Sequence, residues 1–95
     1  MTTSNIVYIT KGTVADMGGR IPTMFDAMLE AQADLGQVTW DCLSPTVAVG
    51  WFGGQAETAH NRIAIFDLDN ADGMDVIRVT NYVNGHTDEM PELKF

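Results

Sequence analysis

A single cysteine, Cys42, excludes an internal disulfide. The fold must therefore hold without an internal disulfide, which either favours a reducing compartment or is uninformative about one. No apolar run approaches the roughly 20 residues that a membrane helix needs. The opening MTTSNIVYIT lacks the basic segment and long apolar core of a signal peptide, so a cytoplasmic location is expected. Histidine is nearly absent too, with only His60 and His86. Cations are the most telling shortage: five Lys and Arg stand against thirteen Asp and Glu, a formal net charge of −8. Each phosphate contact needs a cation, so direct binding to nucleic acid or an anionic membrane is disfavoured. Binding to a basic protein surface is permitted.

What is present is enough for a core. Hydrophobic residues make up 45% of the 95 residues, with two Trp, four Phe and two Tyr. That argues for one packed domain over residues 1–95, of modest stability.

Ile6-Val7-Tyr8-Ile9 reads as a first strand. Lys11 to Arg20 reads as a loop, because Gly12, Gly18 and Gly19 suit no regular element. Its Gly-Gly-Arg matches neither spacing of the phosphate-binding glycine motifs. Pro22 to Leu35 reads as the one clear helix, with Thr23 as N-cap, Asp26 completing an approximate capping box, and Gly36 as C-terminal cap. Helical spacing puts Phe25, Met28, Leu29 and Leu35 on one face, expected to bury against the sheet and to pack on Ile77 and Val79. Asp26, Glu30 and Asp34 form a second stripe at i, i+4, i+8 with no Lys or Arg to relieve their repulsion.

Val38 to Leu43 alternates as a half-buried strand that Ser44-Pro45 breaks, and Thr46 to Phe52 is another strand. Gly50 within it signals a bulge or a close approach. Gln55 to Asn61 reads as a loop or single helical turn. Arg62 to Val83 then reads as a β-hairpin around Asp69-Asn70-Ala71-Asp72-Gly73, its tip carrying Asp67, Asp69, Asp72 and Asp75. An irregular acidic tail, 84–95, follows, with Leu93 and Phe95 expected to pack back on the body. The expected fold is a single small α+β domain in the order β-α-β-β-β-β. It would be a four- to five-stranded, mostly antiparallel sheet with one amphipathic helix on one face. One helix covers only one face, so a homodimer through the other is an open expectation.

Chemistry-bearing patterns are thin. DLDNADGMD carries four carboxylates. However, aligning Gly73 with the turn glycine of a calcium loop puts Leu68 at the first ligand position and Val79 at the closing one. A weak calcium-binding loop is thus an alternative, and a turn is the simpler reading. Cys42 shares a strand face with Val38 and Trp40, where it reads as a small core residue. No triad, nucleophile elbow or zinc spacing occurs, so no catalytic residue, metal ligand or cofactor is assigned.

The reading that remains is a non-enzymatic acidic binding protein. Asp67, Asp69, Asp72 and Asp75, with Asp26, Glu30 and Asp34 as a second patch, would contact a basic protein surface. Trp51, Phe52 and Tyr82 would be its aromatic anchors. Carboxylates at phosphate-like spacing could occupy a groove that normally holds DNA or RNA. Small acidic proteins that inhibit nucleic-acid enzymes in this way, many of them phage-encoded, are similar in size and charge. The alternative is a structural component that homodimerises through the open sheet face.

Overall fold

The computed structural model describes residues 5–19, 21, 23–54 and 61–92. Five strands, β1 (Ile6–Thr10), β2 (Thr13–Asp16), β3 (Val38–Ser44), β4 (Val47–Phe52) and β5 (Arg62–Asp67), accompany two helices, α1 (Met24–Leu35) and α2 (Gly73–Val83). The strands form one sheet in the order β2-β1-β5-β4-β3, and every neighbouring pair is antiparallel. The α+β class and the antiparallel sheet are as expected. The element order is not: a second strand precedes α1, and a second helix replaces the last strand.

Central β5 explains the architecture. Ile63, Ala64, Ile65 and Phe66 are each 0% exposed, so both faces of this strand need cover. Ile63 and Ile65 pack with Ala27 and Ala31 of α1. Ala64 and Phe66 pack with Val79, Tyr82 and Val83 of α2. The two helices therefore lie on opposite faces, and the sheet face expected to be open for dimerisation is covered by α2.

The supposed hairpin over Arg62–Val83 is thus a strand followed by a helix. Asp72 caps α2, its Oδ1 accepting from the Met74 amide at 2.8 Å, and Asp75 lies in the first turn. Val76, Val79 and Val83 recur at i, i+3, i+7, the spacing of a buried helical stripe. The Val/Ile/Tyr content that suggested a strand is tolerated because packing outweighs a propensity difference below about 1 kcal/mol per residue. Similarly, the expected glycine loop contains β2. Lys11 and Gly12, at φ 48 and 79, make the tight turn that folds β2 back onto β1.

α1 begins at Met24, capped as anticipated by Thr23, whose Oγ1 accepts from the Asp26 amide at 3.1 Å. Its buried side is Ala27 and Ala31, with Met24, Met28 and Leu35 partly covered. Phe25 and Leu29 are 65% and 48% exposed, and Ile77 is 55% exposed. The expected packing of Phe25 and Leu29 on Ile77 and Val79 is therefore wrong, since Val79 lies across the sheet from α1. Met28 does face the sheet. The cause is a one-residue difference of phase: small alanines let α1 approach closely, and the stripe centred on them wins.

Gly50 pairs with Trp40 across the β3–β4 ladder, which is the close approach expected there; the register irregularity falls instead between Cys42 and Ser44. Met90 of the tail packs against the α2-side core. Leu93, Phe95 and most of the Gln55–Asn61 segment lie outside the described residues. No described helix is long and apolar enough to cross a membrane.

Candidate interaction surface

Topology gathers charge at one end of the sheet. β5 finishes at Asp67, opposite Ile6, and β2 finishes at Asp16, opposite Val7. The Leu68 amide donates to Asn5 O at 2.9 Å and the Met17 amide to Ile6 O at 2.7 Å, closing the same end. α2 starts here directly after the β5 turn. α1 also starts towards this end, because only Gly36 and Gln37 link its far terminus to Val38, opposite Phe52 at the other end. Asp16, Asp26, Asp67, Asp69 and Asp72 consequently share one end, with Asp75 close by in the first turn of α2.

These carboxylates are held in place locally. Asp16 accepts from the Gly18 amide at 2.8 Å and Asp26 from the Thr23 hydroxyl at 2.9 Å. Asp67 accepts from Asn70 Nδ2 at 2.9 Å, and Asp69 from Asn5 Nδ2 at 3.5 Å. Asp75 lies 4.0 Å from Arg78. Each helix N-terminus offsets about half a charge, too little to neutralise five carboxylates. Among the described cations, Lys11 and Arg62 sit at the opposite end. Asp16, Leu68 and Met74 belong to this end and escaped the sequence reading; an N-cap at Asp72 followed by Asp75 was the available signal for α2.

The second acidic patch meets the first only at Asp26. Glu30 and Asp34 continue along α1, away from that end and on the far side of the sheet from α2. The Tyr8 hydroxyl donates to Asp34 Oδ2 at 3.3 Å. Burial first, then the Asp34 charge and hydrogen bond, then Glu30, raise the Tyr8 phenol above its usual 10.0. The fold disfavours the phenolate, so this contribution to stability is whole below about pH 10 and is lost as pH climbs through the raised value. Asp34→Asn should bring the Tyr8 titration down while burial keeps it above that of a free tyrosine. A phenolate absorbance titration reads this directly, and an unmoved curve would dismiss the contact.

The proposed aromatic anchors do not join the acidic end. Trp51 and Phe52 close β4 at the opposite end, half-buried on opposite faces, and Phe52 packs against the α1-side core. Tyr82 is 2% exposed and forms part of the α2-side core, so it is not a surface anchor. Its ring lies 3.8 Å beneath the Arg62 guanidinium, and Arg62 Nη1 donates to Tyr82 O at 2.8 Å. α2 has no basic residue in its last turn; Arg62 supplies the missing positive charge from the sheet and ties the helix end to β5.

A cleft of about 480 Å³ opens beside this clamp, between Trp51, Asp41 and Asp88, and one of about 930 Å³ lies between α2 and the tail. Each mixes acids with a single arginine, and the larger is also lined by His86. Cys42 is exposed, not a core residue, although it shares the α1-side face with Trp40. His86 is exposed, and His60 lies outside the described residues. Among the described residues no group of three His, Cys, Asp or Glu side chains is placed to hold a metal ion.

The chain belongs to a family of unknown function, DUF7280, whose model matches residues 5–90. That span takes in every described strand and helix and ends at Met90, the tail residue seated on the core. No curated protein and no solved structure matches the chain.

Proposed function

We propose that this is a non-enzymatic, cytoplasmic acidic binding protein whose carboxylate-rich end engages a basic surface of a partner protein. In the finer form of the proposal, that surface is one that otherwise binds DNA or RNA, and the protein acts as an inhibitor by imitating phosphates. One observation carries the reading: strand ends and helix starts converge so that Asp16, Asp26, Asp67, Asp69 and Asp72 share an end. Exposed ion pairs contribute only about 0–1 kcal/mol each. Their joint effect is therefore on the rate of encounter, through a field that salt screens within about 8–10 Å.

The test uses wild type and a variant with Asn at Asp67, Asp69, Asp72 and Asp75 as baits in a cell lysate, at low and high salt. Asn caps helices as well as Asp does, so α2 keeps its start. Captured proteins should carry basic nucleic-acid-binding surfaces, and the Asn variant should associate at least about tenfold more slowly, with a flatter salt slope. Equal capture by both baits would reduce these carboxylates to solvation and capping.

A further inference from the structure

We infer that Met90 is an oxidation-sensitive pin: turning its thioether into the sulfoxide releases the tail Thr87–Glu92, which is strapped over the α2 side of the domain. α2 itself ends firmly. The Gly85 amide donates to Tyr82 O at 3.2 Å and the His86 amide to Asn81 O at 2.8 Å. Gly85, at φ 80, then turns the chain out of the helix. Beyond His86 the ties run out. The Glu89 amide donates to Thr87 Oγ1 at 3.2 Å, a bond internal to the tail. Among the described residues no hydrogen bond or ion pair joins Thr87–Glu92 to a strand or helix. Of its side chains, Met90 is the one that packs on a core cluster.

That seat is open on both sides. Met90 lines the cleft of about 480 Å³ with Asp88, Trp51, Arg62 and Tyr82, and also the one of about 930 Å³ between α2 and the tail. A small oxidant therefore reaches it while the domain stays folded, and methionine oxidation follows access. The other described methionines differ. Met17 is 1% exposed, Met24 and Met28 pack on the α1 side, and Met74 is 57% exposed but joins neither core cluster. A hydroperoxide gives one oxygen to the sulfur as its O–O bond breaks, and leaves as water or an alcohol. The sulfur loses two electrons and the peroxide gains them. The sulfoxide is polar, whereas the seat is built of Val, Ile, Ala and Phe side chains with Tyr82, so burying it there is costly. Burial of one flexible apolar side chain opposes the entropy of ordering a whole tail, and the two are of similar size. Losing the first therefore opens the strap. Release uncovers the Arg62–Tyr82 clamp, which the tail borders through Asp88 and Met90. The acidic end plays no part, so this inference and the proposed function can fail separately.

Hydrogen peroxide treatment of isotope-labelled protein is the test. Peptide mapping should find the Met90 sulfoxide forming at least about tenfold faster than that of Met17. As it forms, the amides of residues 87–92 should move to the shifts of an unstructured chain. Contacts between the residue-90 methyl and the α2-side core should vanish, while the strand amides hold. Met90→Gln, polar and of similar length, should show the released state without peroxide. Met90→Leu, apolar and inert to peroxide, should keep the strap seated through the same treatment. A strap that stays seated once Met90 is oxidised, or in Met90→Gln, would overturn the inference. So would Met90 reacting as slowly as Met17, or release by peroxide in Met90→Leu. Loss of the whole fold in Met90→Gln, followed by circular dichroism, would also overturn it, because the tail would then be an integral part of the core.

Discussion

Phe66→Ala should destabilise the protein by about 3–5 kcal/mol, whereas Phe25→Ala should stay within about 0.5 kcal/mol of wild type. Phe66 is 0% exposed, sits between Val7 and Val47 on neighbouring strands, and lies in the core cluster shared with α2. Its removal costs the transfer energy of a whole ring together with the cavity left under a rigid three-layer stack. The total available to a domain is about 5–15 kcal/mol, and a chain this short belongs towards the lower end. Should Phe66→Ala fail to fold, Phe66→Leu gives a measurable loss in the ordinary range of about 0.5–3 kcal/mol. Urea midpoints at unchanged slope supply the comparison. The reverse ranking, with Phe25 the costly site, would mean that α1 packs through its other side.

Gly50→Ala should cost about 1–3 kcal/mol, although alanine in place of glycine commonly stabilises by about 0.4–1 kcal/mol through the unfolded chain. The sign reverses because the space is taken. A β-carbon at Gly50 would overlap Val38 Cγ1 and lie 3.0 Å from Trp40 Cε3 and 3.2 Å from the Thr39 carbonyl oxygen. Val38 is 6% exposed and has nowhere to go. Trp40 is held by its indole, which donates to Gln32 Oε1 at 2.8 Å, so moving it disturbs α1 as well. At about 4–8 °C per kcal/mol for a domain of this size, calorimetry resolves the loss easily. Adding Val38→Ala removes the nearest clash, so the two changes together should cost less than their sum, by about 0.5 kcal/mol or more. Strict additivity would show that the crowding has been misjudged.

Some of this was legible in the residues. α1 could be read because Thr23 and Gly36 punctuate it and the intervening residues keep one period. Its phase could not, because Phe25 and Leu29 are larger than Ala27 and Ala31 and draw the eye to the wrong face. β5 is visibly apolar on both sides, with Ile63 and Ile65 on one and Ala64 and Phe66 on the other. The second cover was then sought in a tail or another copy, because Val76, Ile77, Val79, Thr80, Tyr82 and Val83 imitate a strand in composition. Their spacing was helical all along, and the two-sided β5 demanded such a helix. The acidic residues were visible as two clusters along the chain. That Asp16 and Asp26 join Asp67 depends on where β2 and α1 begin and end, which only the sheet order decides.

The last consequence concerns β3, which borders the sheet with one side of its backbone unmatched by any described strand. A seven-residue edge of this kind is a template for runaway strand addition and fibrous aggregates. Two features discourage it. The ladder irregularity between Cys42 and Ser44 distorts one end. Asp41, exposed at the midpoint of Val38–Ser44, would face its own copy in the fully overlapped antiparallel pairing centred on it, where like charges directly opposed are unfavourable. The register that would pair the longest stretch of this open border is thus the one in which two carboxylates meet at the centre of symmetry.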